Sequence, residues 1–169
     1  DRFVVQRPYT HRLPGATERS TRIRHVLAAA HELLVRAANR HLAGRSVLGS
    51  PTLVKDYFKV HFAGAERETF VAIFLDSQMR VIACEELFTG TLTQTSVYPR
   101  EVVKRALHHN AGAVVFGHPH PSGQTEPSRA DEFLTQTLKS ALSLVDVRVL
   151  DHMVVAGAQC TSFAERGLL

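Results

Sequence analysis

Apolar residues recur at helical spacing in the first part of the chain. Between residues 20 and 43 an apolar side chain returns every three or four positions, which predicts an amphipathic helix that ends before Gly44. Its predicted apolar stripe consists of Ile23, Val26, Leu27, Ala30, Leu34, Ala37, Ala38 and Leu42. Because a serine followed by Pro51 is a favourable helix start, a second, shorter helix is predicted at residues 51–60. The stripe requires the longer helix to dock on its own domain or on a neighbouring molecule.

After Glu68 the pattern changes to short, continuous apolar runs. Residues 69–75 and 81–84 are two such runs around a polar turn, which predicts a β-hairpin that is buried on both faces. Three further runs predict short strands at residues 113–116, 147–150 and 153–156. Helical periodicity predicts helices at residues 99–112 and 129–144. This order predicts the α/β (α+β) class, with a mixed β-sheet flanked by helices.

Composition and charge narrow the class of protein. The 169 residues are 44% hydrophobic and 21% charged, which is typical of a globular domain and excludes a disordered or fibrous chain. We find no apolar run long enough for a membrane helix and no export signal, so we expect a cytoplasmic protein without membrane contact. The net charge is +6 over residues 1–48 and −2 over residues 49–169. The basic first part would suit a phosphate-bearing partner, although a solvated helix face explains it more simply.

The strongest candidate chemistry follows the strand at residues 113–116. His118 and His120 are two residues apart in extended chain, so both imidazoles face the same side. A proline follows each histidine and keeps it extended. Asp131, in the first turn of the next predicted helix, can present a carboxylate oxygen to the same point. Two histidines and one aspartate, with a fourth position for water, are typical of catalytic rather than structural Zn²⁺.

Simpler explanations exist for each of these residues. Ser128 and Asp131 form the S-x-x-D pattern of a capping box, which by itself only starts a helix. A His-x-His pair is unremarkable in a chain with ten histidines. The whole pattern fixes five residue types, however, and a chance match in a chain of this length is on the order of one in ten thousand. We therefore predict a metal site, with which helix capping is compatible.

At this spacing, His118, His120, Ser128 and Asp131 resemble the JAMM motif of the JAB/MPN metalloproteases, and residues 118–131 resemble the RadC branch. Four other segments are also similar to RadC sequences: Phe88–Leu92, Val97–Leu107, Asp151-His152 and Ser162–Leu169.

This resemblance implies a JAB/MPN (cytidine-deaminase-like) architecture over residues 47–169. Residues 1–46 would then form an N-terminal extension, made of a basic arm and the amphipathic helix. Pro119 departs from the family, which has Asn, Ser or Thr there, but this position lies between the ligands. Metal binding is therefore not expected to suffer directly.

The resemblance also implies the roles of the site residues. It makes Zn²⁺ the cofactor, His118, His120 and Asp131 the metal ligands, Glu68 the general base and Ser128 a hydrogen-bond donor to the oxyanion. Glu68 is the acid that leads directly into a buried strand; Glu85 and Glu86, after the second strand, are its rivals. Asp151-His152 either supports the ligands or satisfies the core, and we favour the core.

The implied activity is that of a zinc-dependent metallopeptidase or isopeptidase, in which activated water attacks an amide carbonyl of a peptide or isopeptide substrate. Two alternatives remain open. One is a DNA-repair-associated, nucleic-acid-binding role, suggested by the RadC resemblance and the basic first part. The other is a non-catalytic MPN interaction scaffold, which the presence of every ligand type disfavours. A homo-oligomer is also left open.

Overall fold

The structure is a computed structural model that describes residues 18–46, 51–90 and 96–169. Within these ranges four helices and five strands follow in the order α1 (Glu18–Leu42), α2 (Pro51–His61), β1 (Thr69–Leu75), β2 (Val81–Thr89), α3 (Pro99–His108), β3 (Ala113–Pro119), α4 (Arg129–Ser143), β4 (Arg148–Ala156) and β5 (Gln159–Ser162). None of the helices in the described ranges is long and apolar enough to cross a membrane. The four predicted helices are thus present with differences at their ends, whereas two predicted strands form one strand and β5 was not predicted.

The strands form one mixed sheet in the order β2-β1-β3-β4-β5. β3 and β4 are parallel, because α4 crosses over between them, and the other neighbouring pairs are antiparallel. Successive residues of a strand point to opposite faces of the sheet. In β1, Val71 and Ile73 pack towards α2, whereas Ala72 and Phe74 pack towards α3 and α4. The predicted mixed sheet flanked by helices is confirmed.

Two strand predictions are corrected. The hairpin is buried on both faces only in β1; β2 continues to Thr89 and is partly exposed, because it lies at an edge of the sheet. The strands predicted at residues 147–150 and 153–156 are one continuous strand, β4. It contains a β-bulge: Val149 pairs with Val114 and Asp151 with Val115, so Leu150 has no partner in β3. The polar pair Asp151-His152 separates the apolar residues of β4 into two runs, which is why the sequence predicts two strands.

The amphipathic helix α1 packs on the rest of the chain through only part of the predicted stripe, and docking of the remainder on a neighbouring molecule stays a prediction. Val35 and Leu42 are buried, and the His31 Nε2 atom lies 2.8 Å from the backbone oxygen of Val60 in α2. Five apolar residues of α1 are 51–67% exposed: Ile23, Val26, Leu27, Leu33 and Leu34. Only the C-terminal part of the predicted stripe, at Ala38 and Leu42, packs on the core. The division of the chain at residues 46 and 47 stays a prediction.

Gly117 allows β3 to pass close under α2. An ideal Cβ atom at this position would lie 2.5 Å from Cε1 of Phe58, which is closer than non-bonded carbon atoms approach. A side chain on β3 would therefore push α2 away from the sheet. Close packing of Phe58 on bare backbone fixes the strand immediately before His118.

Candidate metal centre

His118, His120 and Asp131 converge at the carboxyl end of β3. Their ligand-type atoms all lie within 4.8 Å of one another. The Nε2 atoms of the two histidines are 3.0 Å apart, and they lie 3.2 Å and 3.3 Å from the two carboxylate oxygens of Asp131. The structure thus brings together the three residues that the sequence predicts as ligands.

The backbone around His120 fixes which of its nitrogens faces the other two residues. The His120 N–H donates to the Val155 carbonyl oxygen at 2.7 Å, which extends the pairing of β3 with β4. The Nδ1 atom of His120 lies 2.8 Å from the carbonyl oxygen of Gln124. Because a carbonyl oxygen can only accept, Nδ1 carries the hydrogen, and in the neutral ring Nε2 keeps its lone pair.

Asp131 is placed by the helix cap that the sequence predicts. Its backbone N–H donates to Ser128 Oγ at 3.1 Å, and the Ser128 N–H donates back to Asp131 Oδ2 at 2.7 Å. Ser128 Oγ also lies 2.7 Å from Oδ2 and donates its hydrogen to it. The capping box therefore holds the carboxylate in one orientation, in which Oδ1 faces His118. Capping and a ligand-like position coexist.

The electrostatics of the cluster favour an ionised carboxylate. Partial burial alone would raise the pKa of Asp131, but the imidazoles of His118 and His120, which donate to the carboxylate only when Nε2 is protonated, and the Ser128 hydroxyl outweigh burial and hold that pKa far below its usual range. The hydrogen bond with Asp131 raises the pKa of His120. One carboxylate with two imidazole nitrogens is a donor set that Zn²⁺ accepts, and three protein ligands leave a position for water. The residues present fit this ion.

A cleft of about 550 Å³ opens in front of the cluster. Glu68, half-buried immediately before β1, lines the cleft together with His120 and Asp131. The two alternative candidates for the general base, Glu85 and Glu86, form hydrogen bonds with residues outside the cleft. Glu85 accepts hydrogen bonds from Arg105 and His109, and Glu86 accepts one from Thr89. Neither rival is among the residues that line this cleft.

Sequence reasoning missed a second carboxylate at the cleft and the role of Thr135, and it gave support of the ligands by His152 only as the less favoured alternative. Glu126 also lines the cleft, where it pairs with Arg166 near the C-terminus. His152 Nε2 lies 2.9 Å from His118 Nδ1, and His152 Nδ1 lies 2.6 Å from Thr135 Oγ1. The only sequence signal for Thr135 is its spacing of four residues from Asp131, which places both on one face of α4.

The two members of the Asp151-His152 pair have different surroundings. Asp151 accepts hydrogen bonds from the Ser162 hydroxyl and from the backbone of His152 and Ala164. His152 contacts the ligand-type residue His118. It is completely buried, and desolvation lowers its pKa well below the usual value. His152 therefore belongs to the core, as we favour from the sequence, and also contacts the site, whereas Asp151 is only partly buried.

The mixed sheet and this cluster define a JAB-type domain with a candidate metal centre. The sequence profile of the family described as "RadC-like JAB domain" matches residues 48–168. The UPF0758 proteins of Variovorax paradoxus (strain S110) and Acidovorax sp. (strain JS42) are 60% and 61% identical over 143 residues, or 85% of this chain. That of Nitrosomonas eutropha is 57% identical over the same length. The chain belongs to the RadC-like JAB domain family. It spans 60–64% of the length of these curated relatives.

Proposed function

We propose that the chain is a zinc-dependent hydrolase that cleaves an amide or isopeptide bond. The observation that carries the proposal is the convergence of His118, His120 and Asp131 within 4.8 Å, at a cleft that Glu68 also lines. A carboxylate beside a site with three metal ligands is the arrangement that hydrolysis requires, because water needs both polarisation and a base.

In this proposal the three ligand-type residues hold Zn²⁺ through the Nε2 atoms of both histidines and a carboxylate oxygen of Asp131. Zinc, when bound, would supply a Lewis acid that polarises a carbonyl group and lowers the pKa of water. The protein itself orients the side chains that would bind the ion. Ser128 fixes the carboxylate, and the Gln124 carbonyl fixes the ring of His120.

Glu68 is the proposed general base. Its carboxylate would accept a proton from the attacking water and return it to the leaving amine, which is how one carboxylate serves both steps of amide hydrolysis. Ser128 is the proposed donor to the developing oxyanion. The Ser128 hydroxyl donates to Asp131 in this structure. To donate to the oxyanion, it would have to turn its hydrogen away from Asp131.

The proposed substrate is a peptide or an isopeptide-linked chain. Nucleic-acid binding, a scaffold role, self-association and a cytoplasmic location stay predictions. A gel-shift titration at two salt concentrations addresses nucleic acid separately, because binding through phosphate contacts weakens steeply with salt.

The test combines metal analysis with a panel of fluorogenic peptide and isopeptide reporters. We expect the wild-type chain to bind one equivalent of Zn²⁺ and to cleave at least one reporter. Glu68→Gln should keep the zinc and lose about 10²–10⁴-fold in rate, as expected for removal of a general base. Glu66→Gln is the matched control, because Glu66 is exposed in the same segment and does not line the cleft. Absence of zinc binding, or full activity of Glu68→Gln, would overturn the proposal.

A further inference from the structure

His152 lies on β4 directly behind His118, in apolar surroundings. It has no exposed surface, and its ring contacts the rings of Phe70, Phe116 and Phe163 at centroid distances of 4.9–6.0 Å. Both of its nitrogens nevertheless have polar neighbours, at His118 and Thr135. A charged imidazole is strongly disfavoured in such surroundings, so the ring is neutral and carries one N–H.

The direction of the hydrogen bonds starts at a backbone carbonyl group. The Thr135 hydroxyl donates to the Asp131 carbonyl oxygen at 2.6 Å, and a carbonyl oxygen can only accept. The hydroxyl has a single hydrogen, which this bond uses. The 2.6 Å contact between Thr135 Oγ1 and His152 Nδ1 therefore has its hydrogen on the nitrogen. Thr135 thus makes His152 an Nδ1–H imidazole.

The same logic continues to the ligand-type residue. Neutral His152 with its hydrogen on Nδ1 has a lone pair on Nε2, which accepts from His118 Nδ1 at 2.9 Å. His118 then carries its hydrogen on Nδ1. In the neutral ring, the lone pair of Nε2 points to the space shared with His120 and Asp131.

We propose that Thr135 and His152 are positioning residues that hold His118 in the Nδ1–H form and so keep its Nε2 atom available to a metal ion. The inference rests on the proposed function in taking that ion to be Zn²⁺. His120 reaches the same form independently, through the Gln124 carbonyl. This series of hydrogen bonds starts at the Asp131 carbonyl oxygen and ends at His118. It therefore links two of the three proposed ligands through the first turns of α4.

The first experiment measures the hydrogen position directly. Long-range ¹H–¹⁵N NMR spectra of the histidine rings distinguish Nδ1–H from Nε2–H imidazole, with or without metal. At pH 8 we expect His118 to be in the Nδ1–H form in the wild-type chain, and Thr135→Val to populate the other form. His118 as an Nε2–H imidazole in the metal-free wild type would overturn the inference, whatever the outcome for catalysis.

The second experiment measures Zn²⁺ affinity by competition with a chromophoric chelator. Thr135→Val removes the hydroxyl at nearly constant shape, and we expect it to weaken zinc binding about 10–100-fold, the usual effect of losing such a supporting residue. Thr135→Ser restores the hydroxyl and should restore affinity. His152→Phe fills the space without an acceptor and should weaken binding similarly; if it fails to fold, the Thr135 pair still decides.

Ser162→Ala is the control for a purely structural effect. Ser162 is buried, and Ser162→Ala loses a hydrogen bond to Asp151, which is joined to His152 only through the backbone N–H and not through either ring nitrogen. We expect lower stability with unchanged zinc affinity. If the wild type binds zinc and Thr135→Val binds it as tightly as Thr135→Ser, the inference is wrong. If the wild type binds no zinc, the proposed function fails, and the NMR result alone decides whether the hydrogens are ordered as inferred.

Discussion

At the scale of single residues, Asp131 connects the helix cap to the candidate metal centre. Its Oδ2 atom accepts from the backbone and hydroxyl of Ser128, whereas Oδ1 lies 3.2 Å from His118. Its backbone oxygen accepts from Thr135. One residue thus starts α4 and orients groups on two sides of the site. Because these bonds are short-range along the helix, they form wherever the helix forms.

Ser128→Ala should lower the stability of the protein by about 1 kcal/mol, since it removes the side-chain half of the capping box. The same change frees one side of the Asp131 carboxylate, so zinc binding should also weaken. Urea denaturation and chelator competition measure the two effects. Ser140→Ala is the control, because the hydroxyl of that exposed serine on the same helix bonds only to the preceding turn among the contacts described. Equal stability of the two variants would contradict the role of the cap.

At the scale of the elements, β3 is fixed from both sides of the sheet. Phe58 of α2 covers the bare backbone at Gly117 on one side. On the opposite side Phe116 packs among residues of α3 and α4. Since His118 and His120 follow directly, the position of the proposed ligands depends on the packing of this strand.

Gly117→Ala should therefore destabilise the fold by about 1–3 kcal/mol, the usual cost of overpacking a core. The added methyl group would lie 2.5 Å from the Phe58 ring, so α2 has to shift. Gly112→Ala is the matched control, because the nearest atoms there are 3.4 Å away and the expected cost is below about 1 kcal/mol. Chemical denaturation measures both, and similar midpoints would show that α2 adapts freely.

At the scale of the whole molecule, burial of His61 makes stability depend on pH. Desolvation, aided by the nearby His31, lowers the pKa of His61 to about 4. In the unfolded chain this pKa returns to about 6.5. Between these values the unfolded chain binds a proton that the folded chain excludes. The contribution of His61 is thus complete above about pH 6.5 and decreases as the pH falls towards 4.

His61→Gln should remove this contribution, which amounts to about 2–3 kcal/mol between pH 7.5 and 4.5. The variant should lose less stability than the wild type over that interval. Urea denaturation at both pH values provides the measurement, and His41→Gln, at an exposed position of α1, is the control. A wild-type loss no larger than that of His61→Gln would rule out His61 as the cause.

The sequence predicts the features that depend on local spacing better than those that depend on contacts between distant parts of the chain. His118, His120 and Asp131 come together as expected, because strand alternation and the first helical turn fix their geometry within a short segment. The stripe did not decide which face of α1 packs on the chain's own domain, because Val35 and a hydrogen bond from His31 also contribute to that contact. Support of the ligands by the Asp151-His152 pair was only the less favoured alternative, because the contact between His152 and His118 depends on strand pairing across 34 residues.

The bulge at Leu150 has a consequence for length changes in the chain. Before it, Val149 faces the side of α3 and α4; after it, His152 faces that same side three residues later instead of two or four. In a regular strand residues three apart face opposite sides, so the same sequence paired without the bulge would turn His152 towards α2. One residue inserted or deleted here, in contrast, would restore regular spacing and remove the need for the bulge. A regular strand of the same composition would still complete the sheet, but it would leave His118 without its neighbour. The β-bulge is therefore the feature of the sheet that places His152 beside the proposed ligand His118.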